Sequence, residues 1–482
     1  MSQIETLSQT IGGRAVLARD GSTFDSTNPA TGELIARLPR GGAADVDDAV
    51  RAAESALPEW RATTAPQRSS ALVALAQIIE DHAEELALLD VTDNGSPIRE
   101  MRNDAFAAAK SLRYFAGLTL QLHGQTIPTG WDRLDYTLRQ PYGVVGRIVP
   151  FNHPLMFAAG KIAAPIAAGN TVVLKPSEHT SVSAARLGEL SRGVLPDGVL
   201  NIVTGFGEEA GDALVTHPRV RRLAFIGSAE IGRAIQARAA SSTVKTVTLE
   251  LGGKNPLVIF PDADIDSAIT AALRGMNFTW QGQSCGSTSR LLVHRSIHDA
   301  FVQSLAARIA ALRSGQPNDE STDTGAIVNR KQYEKVMRYV EIGRAEGARV
   351  VTGGGHADDP ALANGLFVRP TLFDNVDPES RIANEEIFGP VLAAIPFDDY
   401  DDALAISNRV SYGLTAGVFT RDLGLAHRFA RDVEAGYVWV NDVGIHFPGA
   451  PYGGFKDSGV GREESIEELE SYTQIKNVNI RF

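Results

Sequence analysis

The chain has 482 residues, 43% of them hydrophobic and 22% charged, with a formal net charge of −12. That length outgrows one small core, so two or three domains are expected, and the composition is that of a globular protein needing no metal or disulfide to fold. The acidic balance argues against nucleic acid and against anionic lipid, both of which call for a basic surface.

The N-terminus lacks a basic segment followed by an apolar one, so no secretory signal is expected. The most apolar stretch, 157–174, is interrupted by Lys161, Pro165, Gly169 and Asn170, which excludes a membrane-spanning helix. A single cysteine, Cys285, forms no intrachain disulfide and suits the cytoplasm.

Up to Pro141 and Gly143 the pattern is mostly helical, over 43–60, 65–93 and 99–118, with Ile78, Ile79, Leu86 and Leu89 at helical spacing. Residues 121–140 carry Thr126, Ile127, Tyr136, Thr137 and Leu138 around Pro128-Thr129-Gly130, which predicts a two-stranded ribbon projecting from the body. Strands are predicted next at 144–149, 171–175, 199–203, 222–226 and 245–251, and helices at 157–168, 181–192, 208–216 and 229–240. This alternation implies a parallel sheet covered by helices. A second α/β series runs from 256 to 452, and 358–364 reads as a variable surface loop. The tail ends in a strand-like run, 473–482.

Several segments carry chemistry. Gly227-Ser228-Ala229-Glu230-Ile231-Gly232 follows a strand and opens a helix, whose free N–H groups suit a pyrophosphate; an ordinary capped helix has the same pattern. Gly205-Phe206-Gly207-Glu208-Glu209-Ala210-Gly211 is similar to a dinucleotide turn with one extra residue. Lys175 and Glu178 lie at a strand end, suited to ribose hydroxyls or to a plain ion pair. Cys285, between Gly282 and Gly286, is either a small buried hydrophobe or a reactive thiol. Glu250 closes a strand before Gly252-Gly253, where a carboxylate acts as a general base or joins a salt bridge. Asn152, in a Pro-bounded loop, donates to an oxyanion or completes a turn.

Taken together these segments identify a resemblance. Pro150-Phe151-Asn152, Leu174-Lys175-Pro176-Ser177-Glu178, Phe225-Ile226-Gly227-Ser228, Glu250-Leu251-Gly252-Gly253-Lys254-Asn255-Pro256, Gly282-Gln283-Ser284-Cys285, Glu385-Glu386-Ile387-Phe388-Gly389-Pro390 and Pro451-Tyr452-Gly453-Gly454-Phe455-Lys456-Asp457-Ser458-Gly459 occur in one order. The chain thereby resembles the NAD(P)-dependent aldehyde dehydrogenase superfamily along essentially its whole length.

The resemblance implies an α/β fold: a Rossmann-like cofactor domain (1–120 and 142–252), a second α/β catalytic domain (253–455), and a small β oligomerisation ribbon and tail (121–141 and 463–482). It implies Cys285 as nucleophile, Glu250 as general base, and Asn152 with the Cys285 N–H as oxyanion hole. The implied cofactor residues are Ile148, Phe151, Lys175, Glu178, Gly207, Gly211, Phe225, Gly227, Ser228, Ile231, Leu251, Glu386 and Phe388, holding NAD+ with NADP+ as an alternative. Glu178 favours NAD+, because its charge repels a 2′-phosphate. No metal site is expected.

His153, Met156, Phe157, Gly160, Trp280, His446, Phe447 and Tyr452 are the expected substrate pocket. Phe151, His153, Gly160, Thr279 and Trp280 depart from common family patterns, and Gly160 predicts an open, largely apolar entrance. An aromatic or medium-chain aldehyde fits it and would be oxidised to the carboxylic acid through a thiohemiacetal and a thioester. Two alternatives are a coenzyme A-acylating semialdehyde dehydrogenase and, in another class, a catalytically silent NAD-binding structural protein. The ribbon and tail imply a homo-oligomer, dimer or tetramer.

Overall fold

The computed structural model describes residues 5–482. Five fully buried or half-buried apolar runs form a parallel sheet in the spatial order Leu200–Ile202, Thr171–Lys175, Val144–Ile148, Arg222–Ile226, Thr246–Glu250. Helices cover both faces, which is why the first four of these strands are buried throughout instead of alternating, while Thr246–Glu250 is exposed at its start. On one face Leu72, Leu112, Leu155 and Ile162 pack under the sheet; on the other Val46, Val50, Leu214 and Ile235 do so.

Three additions were not foreseen. Gln9–Ile11 and Arg14–Val16 form an antiparallel hairpin on one edge of this sheet, and Thr23–Thr27 pairs with Leu34–Pro39 nearby in the chain. Gly459–Val460, just before the tail, pairs antiparallel with Leu249–Glu250 on the other edge. The expected helix 65–93 is two helices, Ala65–Asp81 and Ala83–Asn94, the second ending at Gly95 with φ +87°. The expected helix 157–168 starts earlier, at Pro154, and breaks between Gly160 and Ala163. Pro165 has no N–H to offer the Lys161 carbonyl one turn back, so the ladder cannot continue through it.

The second sheet runs Arg349–Thr352, Thr371–Asp374, Val391–Phe397, Arg290–His294, Pro256–Ile259, Thr415–Phe419, Tyr437–Val440, parallel except for its first strand. The ribbon is three-stranded rather than two-stranded: Arg133–Pro141 pairs with Thr126–Ile127 on one side and with Thr473–Arg481 on the other. The chain 459–472 also differs from a free tail, because it is built into the first sheet and its core.

One buried ion cluster joins these parts. Glu463 accepts from Arg147 Nη2 at 2.5 Å and lies 2.8 Å from Lys161 Nζ; Arg147 Nη1 also donates to Tyr472 Oη at 3.1 Å. Arg147 is fully buried in the middle of a strand. Removing one partner of such a pair leaves the other charge uncompensated. Arg147→Met is expected to destabilise the fold by about 3–5 kcal/mol, read as a lower melting temperature by calorimetry.

Candidate active site

The first sheet reverses its strand order between Val144–Ile148 and Arg222–Ile226, and a crevice at the carboxyl ends of such strands is where open α/β sheets take ligands. Phe151, Asn152 and His153 follow the first of these strands, Lys175 ends its neighbour, Gly227 and Ser228 follow the second, and Glu250 ends the last. Phe151 is pinned through its carbonyl, which accepts from Asn94 Nδ2 at 2.7 Å and from Thr180 Oγ1 at 3.4 Å. Lys175 Nζ donates to Glu178 Oε2 at 2.9 Å. Ser228 caps the helix Ala229–Ala239 by accepting from the Ile231 N–H. A Cβ at Gly227 would overlap the Phe225 ring, and one at Gly232 would overlap Leu251, so the backbone lies close to the strand ends only because these residues are glycine.

Gly207 and Gly211 behave differently. Residues Gly207–Gly211 form one wide helical turn, and a Cβ on Gly207 would meet nothing within 4 Å. The position that demands glycine is Gly205, at φ +139° against the Gly41 backbone. The segment enters the helix Asp212–Thr216 through this wide turn.

The second sheet contributes from its opposite ends. Cys285 precedes the strand Arg290–His294, and Glu386 precedes Val391–Phe397. The loop leading to Cys285 turns through left-handed conformations at Asn277, Gln281 and Gly282, with φ of +54°, +53° and +65°. Asn255 Nδ2 donates to the carbonyls of Cys285 (2.8 Å) and Ser287 (2.9 Å), while its Oδ1 accepts from the Thr415 N–H (3.0 Å). The Gly253 N–H donates to Glu386 Oε1 at 3.0 Å. Phe388, at φ +55°, sets its ring edge-on to Phe151 with centroids 5.7 Å apart.

Electrostatics separate the acids. Glu250 is buried and neither carboxylate oxygen has a hydrogen-bond partner. Burial and the neighbouring Glu463 charge push its ionisation well above the usual carboxylate range. For Glu463, burial acts in the same direction but Arg147 and Lys161 outweigh it and hold the group low. Burial, then the Glu386 charge, pushes the Cys285 thiol up to about 12. Asn152 is buried with its Oδ1 unpartnered. Among the described residues no group of three or more His, Cys, Asp or Glu side chains is arranged to hold a metal.

The pocket candidates fall into two aromatic clusters. His153 packs on Phe157 (5.3 Å between centroids) and Trp280 (5.5 Å), and its Nδ1 pairs with Asp104 at 2.8 Å. His446 packs on Tyr452 at 4.5 Å and its Nδ1 pairs with Glu464 at 3.1 Å. The Tyr452 hydroxyl lies 3.9 Å from Cys285 Sγ. Met156 is half-buried and Phe447 is exposed. Gly160 is buried and faces Ile98–Gly117, where a Cβ would stand in ordinary contact, 3.5 Å from Ser111 Cβ. Both imidazoles carry carboxylate partners, which makes the surroundings more polar than the expected apolar entrance. Asp104, Lys161, Glu463 and Glu464 were not singled out from sequence. Their partners are distant in the chain, and a His or Lys with no local acidic neighbour gives no signal.

The aldehyde dehydrogenase family pattern matches residues 16–478. Aldehyde dehydrogenase tropH of Talaromyces stipitatus is 47% identical over 466 residues, covering 95% of this chain and 90% of that protein. PnpE, solved from Pseudomonas sp. WBC-3, has a crystal structure in complex with nicotinamide adenine dinucleotide. That complex superposes with a TM-score of 0.97 at 41% identity, over 98% of this chain and 97% of that one. An NAD+ complex of aldehyde dehydrogenase from Bacillus cereus gives 0.96 at 40% identity, over 99% and 96% of the two chains.

Gly282 offers a direct check on the cysteine loop. Its φ is left-handed, and a Cβ would overlap the Gly389 backbone. Gly282→Ala is expected to lower the melting temperature and to slow or redirect iodoacetamide labelling of Cys285, measured by mass spectrometry.

Proposed function

As a member of the aldehyde dehydrogenase family, the chain is an NAD(P)-dependent aldehyde dehydrogenase, and we propose that it oxidises an aromatic or medium-chain aldehyde to the acid through a thioester on Cys285. The observation that carries this is the meeting of the sole thiol with an unpartnered, buried Glu250 at the junction of the two sheets. The Glu250 charge is among those that hold the Cys285 thiol up, and neither group is neutralised by a structural ion pair.

The residues fit a dinucleotide. Gly227 lets it approach the strand end, Ser228 and the start of Ala229–Ala239 face its phosphates, and the Lys175–Glu178 pair suits the adenosine ribose. Glu386 suits the nicotinamide ribose and Phe388 packs beside the ring, with Ile148, Phe151, Phe225, Ile231 and Leu251 completing the walls. When bound, NAD+ supplies the hydride acceptor. Glu178 favours it over NADP+ by charge.

Cys285 Sγ, as thiolate, forms a bond to the aldehyde carbon. The carbonyl oxygen gains the charge and is held by the Asn152 carboxamide and the Cys285 N–H. After the carbon loses hydride, the acyl group remains on sulfur as a thioester. Glu250, ionised, takes a proton from water, and the resulting hydroxide displaces the thiolate and releases the acid. The aromatic clusters around His153 and Tyr452 support an aromatic or medium-chain substrate. Glu250 favours water over coenzyme A as acyl acceptor.

The assembly belongs to the same proposal. Thr473–Arg481 leaves one edge unpaired over nine residues, Ile475 is exposed on it and Trp131 and Phe482 are exposed just beyond the ends of its strands, which supports a homodimer or homotetramer.

The test is an aldehyde panel followed by NADH absorbance. Cys285→Ser is expected to abolish turnover. Asn152→Ala should lower kcat by about 10²–10³. With the raised Glu250 and Cys285 ionisations, turnover should climb as pH rises, since both groups act as anions. Glu250→Gln should remove the hydrolytic part of that climb and leave a thioester visible by intact mass. Retained turnover in Cys285→Ser, or a preference for NADP+, would contradict the corresponding part.

A further inference from the structure

Resting on Cys285 as the nucleophile, we propose that the Tyr452 hydroxyl is a further catalytic group, donating a hydrogen bond to the Cys285 thiolate and so favouring the reactive form of the sulfur. The Tyr452 side chain is buried, and among the described residues Cys285 Sγ is the one partner of its hydroxyl, at 3.9 Å. A buried hydroxyl without a partner is unfavourable, so the arrangement makes sense only if the sulfur accepts. An ionised acceptor draws its donor closer than a neutral thiol does.

The hydroxyl is held in place from two directions. The ring packs against His446 at 4.5 Å and against Tyr437 at 5.8 Å. The backbone of Tyr452 exchanges two hydrogen bonds with Glu463, Tyr452 N–H to Glu463 O at 2.9 Å and Glu463 N–H to Tyr452 O at 2.7 Å. Glu463 is anchored in turn by Arg147 and Lys161. Gly286 leaves room, since a Cβ there would stand 3.4 Å from the Tyr452 hydroxyl oxygen.

The need for such a donor follows from the surroundings. The charged groups acting on Cys285 are Glu386, Glu250 and Glu464, all carboxylates, and all oppose a thiolate. Tyr452 is the group among these neighbours that favours it. Burial and the Cys285, Glu464 and Glu250 charges hold the phenol well above its ordinary range, so Tyr452 keeps its proton and stays a donor. The proton lost by Cys285 goes to solvent or to the Glu250 carboxylate, and no electrons change hands. His446, paired with Glu464, touches the ring but not the sulfur.

The test reads the thiol itself and needs no turnover. The second-order rate of Cys285 alkylation by iodoacetamide is measured against pH in the full-length protein and in Tyr452→Phe, which keeps the ring. The inflection should move up by about one pH unit and labelling at neutral pH should fall about ten-fold. Replacing Tyr452 with 3-fluorotyrosine, a stronger donor, should move the inflection down, which separates hydrogen bonding from any packing defect. An unmoved or lowered inflection in Tyr452→Phe, or no response to fluorination, overturns the proposal. Turnover by Cys285→Ser is scored separately: if it survives, the nucleophile assignment fails whichever way the alkylation curves lie.

Discussion

Everything at the site depends on five residues, 251–255, that carry the chain from the carboxyl end of a strand in one sheet to the amino end of a strand in the other. Their hydrogen bonds tie the crossing to its surroundings, while the buried Lys254 ammonium has no partner among the described residues. The Leu251 N–H donates to the Ser458 carbonyl and the Gly252 carbonyl accepts from Ser458 Oγ, at 2.8 and 2.7 Å. Gly253 holds Glu386, and Asn255 holds the backbone of the cysteine loop. A Cβ on Gly252 would overlap the Glu386 carboxylate, and one on Gly253 would crowd the Cys285 carbonyl. Two adjacent glycines thus let a carboxylate and a thiol loop approach the same short crossing. The Asn255 carboxamide has its donor and acceptor satisfied, so the loop is fixed by hydrogen bonds that burial strengthens.

A second constraint is the placing of acids with different surroundings. Glu463 is flanked by two cations and stays charged; Glu250 has no such partner and feels that charge. One carboxylate is thereby held as an anion, and the other ionises only well above the usual carboxylate range. Environments that push paired acids apart are the usual mark of divided roles in catalysis. The Glu463 backbone also carries the strand bridge to Tyr452, so the ion cluster and the aromatic wall share one support.

Much of this was legible. The strands at 171–175 and 222–226 were placed to the residue, because buried parallel strands are short apolar runs bounded by glycine, proline or polar turns. The hairpin of Gln9–Ile11 with Arg14–Val16 was not, since three-residue strands carry no period, and the alternation of Thr23–Thr27, which is real, was missed. The break before Pro165 was readable in principle from the missing N–H. Cys285, Glu250 and Asn152 stood out by residue type and local punctuation. Arg147, Lys161 and Glu463 did not, because an ion pair spanning 316 positions leaves no local pattern. The neighbours of Gly160 gave no signal for a related reason: the facing residue, Ser111, lies 49 positions away.

The order in which the partners occur along the chain has a consequence for biosynthesis. Arg147 and Lys161 belong to the first half, whereas Glu463 and the edge strand Gly459–Val460 lie within the last 24 residues. As the protein leaves the ribosome, the early sheet emerges with two cations bound for its interior and no anion yet available to meet them. Closing that interior before Glu463 is made would strand both charges, which favours an interior that shuts only once residues 459–463 are available.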